Sequence, residues 1–161
     1  ARGIAYTFQI TSIYAGLSVF DNLALAVQRS RPRDLRQAVQ AAADRVGLGG
    51  HLQAEAGQLS YGHQRLLELG MGLALQPKLL ILDEPTQGLA AGEIADFISL
   101  IRGLQDTTVL LIEHNMEVVM ALAQRITVLN MGQVLASGSP EEIRANAAVQ
   151  AAYLGADHVA D

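Results

Sequence analysis

The stretch LLILDEPTQGL, residues 79–89, sets four apolar residues directly before two adjacent carboxylates, Asp83 and Glu84, and a proline. Such a run reads as a strand buried on both faces, because a half-solvated strand would alternate apolar with polar residues. The flanking segments extend the pattern. AGEIADFISLIRGLQ (91–105) has the apolar spacing of an amphipathic helix, and TTVLLIE (107–113) is a second apolar strand followed by His114. NMEVVMALAQ (115–124) is helical, and RITVLN (125–130) is strand-like again. Strand, helix, strand, helix, strand, with continuous apolar strands, predicts an α/β fold whose mostly parallel sheet is covered on both faces.

On the N-terminal side, GIAYTFQI (3–10) reads as a short strand ending near Gln9. Two helices are predicted over 18–28 and 34–48, the first broken by Arg31-Pro32 and the second ended by Gly49-Gly50. Ser60 precedes a long helix over 63–76 that Pro77 stops. Gly70 and Gly72 inside it predict close packing against a neighbour. The stretch 17–58 contains no strand and reads as a helical subdomain inserted into the α/β part. C-terminally, Met131-Gly132 is the turn of a hairpin. Ser139-Pro140-Glu141-Glu142 is a capping box that opens one final helix.

With 161 residues, half of them apolar, the chain can bury a real core. It has no cysteine, so disulfides and thiolate metal sites are excluded, and its net charge of −5 argues against a nucleic-acid or anionic-membrane surface. No apolar run approaches a membrane span and no signal peptide is visible, so a soluble, cytoplasmic protein is expected. The first residue, Ala1, is weak evidence for truncation, since removal of an initiator methionine before alanine explains it equally.

In open α/β sheets, ligands bind at the carboxyl ends of the strands. Asp83, Glu84, Glu113 and His114 all stand at such ends, so four ionisable groups are expected to converge on one edge. An aspartate there can hold Mg²⁺ through water, the next glutamate can accept a proton from an attacking water, and a histidine can touch a terminal phosphate. Taken singly, strand-end acids are as often a mere exit from the core, and a lone histidine is more often a filler. The combination is the specific signal. In LSYGHQRLLELGMGLAL (59–75), Ser60 can cap a helix that starts beyond Gly62, a residue with no side chain to block a ligand. A helix start with a serine hydroxyl is an anion site.

These motifs, in this order, resemble the nucleotide-binding subunit of ABC transporters. TFQ with Gln9 resembles the Q-loop, LSYGHQ the signature motif, LLILDEP the Walker B strand with its following glutamate, and LLIEHNM the H-loop. VLNMGQVLASGSPEEI resembles the closing hairpin and helix. The tyrosine of the signature is similar to that of branched-chain amino-acid importers and of related urea and amide transporters. The resemblance implies a partial P-loop NTPase fold divided into 1–16 (Q-loop strand and loop), 17–76 (helical subdomain ending in the signature helix) and 77–161 (α/β core). It implies that Asp83 and Gln9 serve Mg²⁺, that Glu84 is the general base, and that His114 contacts the γ-phosphate. Ser60, Tyr61, Gly62 and His63 would meet ATP held by the opposite subunit of a head-to-tail pair, homo- or heterodimeric. The surface around ITSIYAGLSVFDNL (10–23) would receive transmembrane permease subunits, placing the protein peripherally on the inner face of the cell membrane.

The chain departs from the family pattern in three places. Tyr61 and His63 replace the usual glycine and glutamine of the signature, and Ala90 stands where the family's D-loop has aspartate. The third is the phosphate loop: no G-x-x-x-x-G-K-[ST] occurs, and the one lysine, Lys78, opens the strand that ends at Asp83, a strand's length from the acids. In the family that loop lies N-terminal to the Q-loop. The expectation is therefore a C-terminal portion of a longer protein, which binds no ATP tightly by itself and self-associates through apolar surface left uncovered. Two readings stand. One is an ATP-hydrolysing importer subunit without its phosphate cradle. The other is a non-catalytic module that pairs with a complete subunit through its signature motif.

Overall fold

The computed structural model describes residues 3–7 and 13–156. The chain divides into two compact units, 1–115 and 116–161. In the first, strands β1 (Ile4–Thr7), β2 (Leu79–Asp83) and β3 (Thr108–Ile112) form a parallel sheet in the order β1-β2-β3. In register, Leu79 stands between Ile4 and Thr108, Ile81 between Tyr6 and Leu110, and Asp83 beside Ile112. Helices α1 (Val19–Val27), α2 (Leu35–Arg45) and α3 (Tyr61–Ala74) lie between β1 and β2 in sequence, and α4 (Ala91–Arg102) connects β2 to β3.

The three N-terminal helices pack through Val19, Leu23, Val39, Ala43, Val46, Leu48 and Leu67, all essentially buried. Gly70 is where they come closest: a Cβ there would stand 3.1 Å from Val46 Cγ2 and 3.3 Å from Leu23 Cδ2, as the close packing predicted for this glycine requires. Caps define the helix starts. The side chains of Ser18, Asp34 and Ser60 accept the backbone N–H groups of Asp21, Gln37 and His63. Buried Asn22 is satisfied on both sides of its amide. It accepts the Tyr14 N–H at 2.8 Å and donates to the carbonyls of Tyr14 and Ser18, tying the entry loop to α1.

Several expectations are corrected. The α2 helix ends at Arg45, and the residue that turns the chain is Gly47, at φ +73°; Gly49-Gly50 instead opens a 3₁₀ turn over Gly49–His51. The α3 helix begins directly after Ser60, which places Gly62 within its first turn. The sheet is not covered on both faces by the described residues. Ala5, Leu80 and Leu82 point to the buried face, where α3 and α4 bring Leu69 and Phe97 against Leu82. The other face exposes Ile4, Tyr6, Leu110 and Ile112, so β3 alternates between exposed and half-buried residues. An all-apolar strand such as TVLLI does not reveal whether one face or two are covered, because both patterns are written with the same letters.

The second unit contains α5 (Met116–Leu122), β4 (Ile126–Asn130), β5 (Gln133–Gly138), α6 (Pro140–Ala145) and α7 (Ala147–Ala156). Among the described residues β4 pairs only with β5, antiparallel, and is no further strand of the parallel sheet. The predicted hairpin turn holds: Met131 and Gly132 have φ of +48° and +78°, the paired left-handed geometry of a two-residue turn. The capping box at Ser139 and Glu142 is reciprocal, with Ser139 N–H to Glu142 Oε2 at 2.8 Å and Glu142 N–H to Ser139 Oγ at 3.2 Å. The single final helix predicted there is two helices. Asn146 leaves the helical conformation and its side chain accepts the N–H groups of Ala148 and Val149, restarting the chain as α7. Ile126, Ile143 and Val149 form the small core of this unit.

Candidate functional site

Asp83 is the last residue of β2 and lies on the open face of the sheet, where Tyr6 Oη donates to its Oδ2 at 2.9 Å. That hydrogen bond and the adjacent negative charge raise the pKa of Tyr6 above the ordinary tyrosine value. The stabilisation this reflects is present at neutral pH and is lost as the solution is taken through the raised pKa, because only the neutral phenol donates.

Glu84 follows with a φ of +46°, a left-handed backbone that a non-glycine residue rarely adopts. Its N–H still reaches Ile112 O at 2.9 Å, so the β2–β3 ladder continues for one residue while the side chain turns out of the sheet. The carboxylate then stands 3.7 Å, Oε1 to Nδ1, from the exposed imidazole of His114, which follows β3. Two adjacent parallel strands thus bring Asp83, Glu84 and His114 to one edge, as the strand-end pattern predicts.

Glu113 also reaches His114, with Oε2 3.9 Å from Nδ1, but from a buried position. Its side chain is fully buried and turns inward as a clamp. One carboxylate oxygen accepts both the N–H and the hydroxyl of Thr86, and the other accepts the N–H groups of His114 (3.1 Å) and Asn115 (3.3 Å). One carboxylate side chain therefore fastens the loop after β2 to the loop after β3. Sequence reasoning missed this role, because the donors include Thr86, 27 residues away.

At the other constellation, Ser60 Oγ accepts the His63 N–H at 3.2 Å, the predicted helix cap. The space over Gly62 is not open: a Cβ there would meet the Glu93 carboxylate, a correction to the expected unblocked approach. Tyr61 is half-exposed, with its ring 5.4 Å from the Arg65 guanidinium and one edge against Gly88. The His63 ring lies 4.9 Å from that of His51. Gln9 lies outside the described residues. Lys78 lies at the opposite end of β2 from Asp83, where its N–H donates to Gly3 O at 2.7 Å.

Gly88 has a φ of +77°, and a Cβ there would stand 3.0 Å from Tyr61 Cε1. Gly88→Ala is expected to lower stability by about 2 kcal/mol from the left-handed backbone and the ring contact together. Urea unfolding of wild type and variant measures it; an unchanged midpoint would contradict this geometry.

The family described as ABC transporter matches residues 1–87, more than half of the chain, and the family described as branched-chain amino acid ATP-binding cassette transporter matches residues 133–159. The chain is 38% identical to the high-affinity branched-chain amino acid transport ATP-binding protein LivG of Salmonella typhimurium, over 95% of its own length and 68% of that protein. It is 37% identical to BraF of Pseudomonas aeruginosa, a high-affinity branched-chain amino acid transport ATP-binding protein, over 96% of its length and 68% of that protein. Among solved structures it superposes on MJ1267, an ATP-binding cassette of an ABC transporter, with a TM-score of 0.80 at 26% identity, covering 95% of this chain and 67% of that one. Subunits of this kind use ATP and Mg²⁺ and work with permeases and a partner ATPase subunit. The chain spans about two thirds of the length of these proteins, and it belongs to the ABC transporter family as an ATP-binding subunit of the LivG and BraF type.

Proposed function

We propose that this chain carries the catalytic acids and the signature motif of an ATP-hydrolysing subunit that drives import of branched-chain amino acids or a related small polar solute. The observation that carries the reading is the meeting of Asp83, Glu84 and His114 at the ends of two adjacent parallel strands, with Glu84 Oε1 3.7 Å from His114 Nδ1. Glu84 accepts the proton of the attacking water, and His114 contacts the terminal phosphate. Asp83, through water, and Gln9 would serve Mg²⁺. Among the described residues no three His, Cys, Asp or Glu side chains are grouped for a metal, and Mg²⁺ commonly keeps water and substrate phosphate beside one or two carboxylates. With ATP bound, the metal supplies charge neutralisation on the phosphates. The chain's own residues orient the water and take its proton.

Within this reading, residues 17–76 form the helical subdomain. Ser60, Tyr61 and His63 meet the nucleotide of a second ATPase subunit, while Gly62 is covered by the Glu93 carboxylate. The surface around residues 10–23, where Tyr14 and Leu17 are exposed, receives the permease at the inner face of the membrane. Among the described residues no helix is long and apolar enough to cross a membrane itself.

Calorimetric titration with Mg-ATP tests the division of labour. The 161-residue chain is expected to give no detectable heat, since it has no lysine at the acid-bearing edge and no phosphate-loop motif. Fusion behind the N-terminal third of LivG is expected to give micromolar binding and turnover. Tight binding by the chain alone, or an inert fusion that is folded, would overturn the reading.

A further inference from the structure

Two positions that differ from the general ABC pattern, Tyr61 in the signature and Ala90 in the D-loop, lie at one junction in the fold. The Tyr61 ring rests on the backbone of Gly88, and the Glu93 carboxylate rests on the backbone of Gly62. Each glycine leaves the space that the other segment's side chain fills. Tyr61 is 44% exposed, so it is no core filler; its ring lies against Gly88 and 5.4 Å from the Arg65 guanidinium. Glu93 Oε2 also accepts the Ala90 N–H at 2.8 Å. This is half of a capping box, since Ala90 has no side-chain acceptor to offer in return. The carboxylate therefore lies in the first turns of both α3 and α4, where backbone N–H groups favour negative charge.

The segment between these contacts is itself a chain of turns. Gln87 N–H reaches Glu84 O, and Leu89 N–H reaches Thr86 O, both at 3.2 Å, while Thr86 is held by Glu113. Contacts of hydrogen-bond or van der Waals length thus lead without a gap from Glu84 to the first turn of α3, which Ser60 caps.

We infer that Tyr61 and Glu93 are positioning residues that hold the Glu84–Ala90 turn and the start of α3 as one body. The consequence rests on the proposed reading, in which Glu84 serves the nucleotide on this chain and Ser60 the nucleotide of the opposite subunit. A shift of Ser60 as that second phosphate arrives is then delivered to Glu84 of the same chain. The junction links the two nucleotide sites through an aromatic ring and a carboxylate, with no side-chain acceptor needed at position 90.

Hydrogen–deuterium exchange of the nucleotide-free chain, read by mass spectrometry, tests the junction. Tyr61→Gly and Glu93→Ala are expected to speed amide exchange over residues 86–90 about tenfold, with β2 and α1 unchanged. Tyr61→Phe keeps the ring and Glu93→Gln keeps the acceptor for Ala90, so both are expected to stay within about twofold of wild type. Unchanged exchange over 86–90 in both truncating variants, or an equal rise throughout the chain, would overturn the inference. So would failure of the two conservative variants to restore protection. No nucleotide enters this measurement, so its outcome is separate from the Mg-ATP titration that tests the functional reading.

Discussion

Glu84→Gln, in the chain fused behind the N-terminal third of LivG, is expected to lower ATP turnover by about 10²–10⁴-fold while leaving Mg-ATP affinity within a few-fold of wild type. Glutamine matches the size of glutamate and keeps an oxygen on the bound water, but it does not take the proton. Glu84 is the residue whose backbone leaves the strand conformation, and its carboxylate stands beside His114 at the sheet edge. Asp83, by contrast, is engaged by Tyr6 and points along the open face. In the proposed reading the two neighbouring acids have separate tasks, and the substitution separates proton transfer from binding. Phosphate release and calorimetry on the same fused protein read the two quantities. Retained turnover would remove Glu84 from the role of base, and lost affinity would move it to the binding of nucleotide.

Glu113→Ala is expected to have the largest effect on stability, about 3 kcal/mol, measured by urea unfolding. The carboxylate is fully buried and accepts from four donors on two loops. Removing it leaves the Thr86 N–H and hydroxyl without their acceptor in a buried position, and each buried donor so stranded costs about 1–3 kcal/mol. Glu113→Gln keeps one acceptor oxygen but turns an amide NH₂ towards donors, so about half of the loss is expected. In the fused protein, both variants should lower turnover as well, because Thr86 and His114 lose the clamp that fastens their loops. A variant as stable as wild type would mean that water replaces the carboxylate.

Much of this site is legible in the order of residues because its parts are local. LILDEP announces a buried strand that ends in acids, and LLIEH announces a second. Parallel pairing of consecutive strands around a crossover helix then brings their ends together. Ser60 as a helix cap and Met131-Gly132 as a hairpin turn are equally local, since each follows from a side-chain oxygen or a left-handed backbone within three residues. The break at Asn146 was legible in principle. An asparagine that can accept the N–H groups two and three residues on competes with helix continuation, though its alanine-rich surroundings favour one long helix.

What the order of residues determined by itself is therefore most of the elements, their motif order and the pairing of acids with strand ends. These depend on periodicity, on caps and on turns, all of which act over a few residues. The tertiary structure alone decided which acid is buried as the acceptor of four donors and which is partly exposed, because Glu113 and Glu84 each follow an apolar strand and differ in what lies across from them. It alone decided that the Gly62 approach is occupied by Glu93, 31 residues along the chain, and that Tyr61 fits against Gly88. It also decided that one face of the sheet stays open among the described residues, since an apolar strand is written alike whether one layer of helices covers it or two. Each of these depends on side chains meeting across elements distant in sequence, a contact that no local pattern encodes.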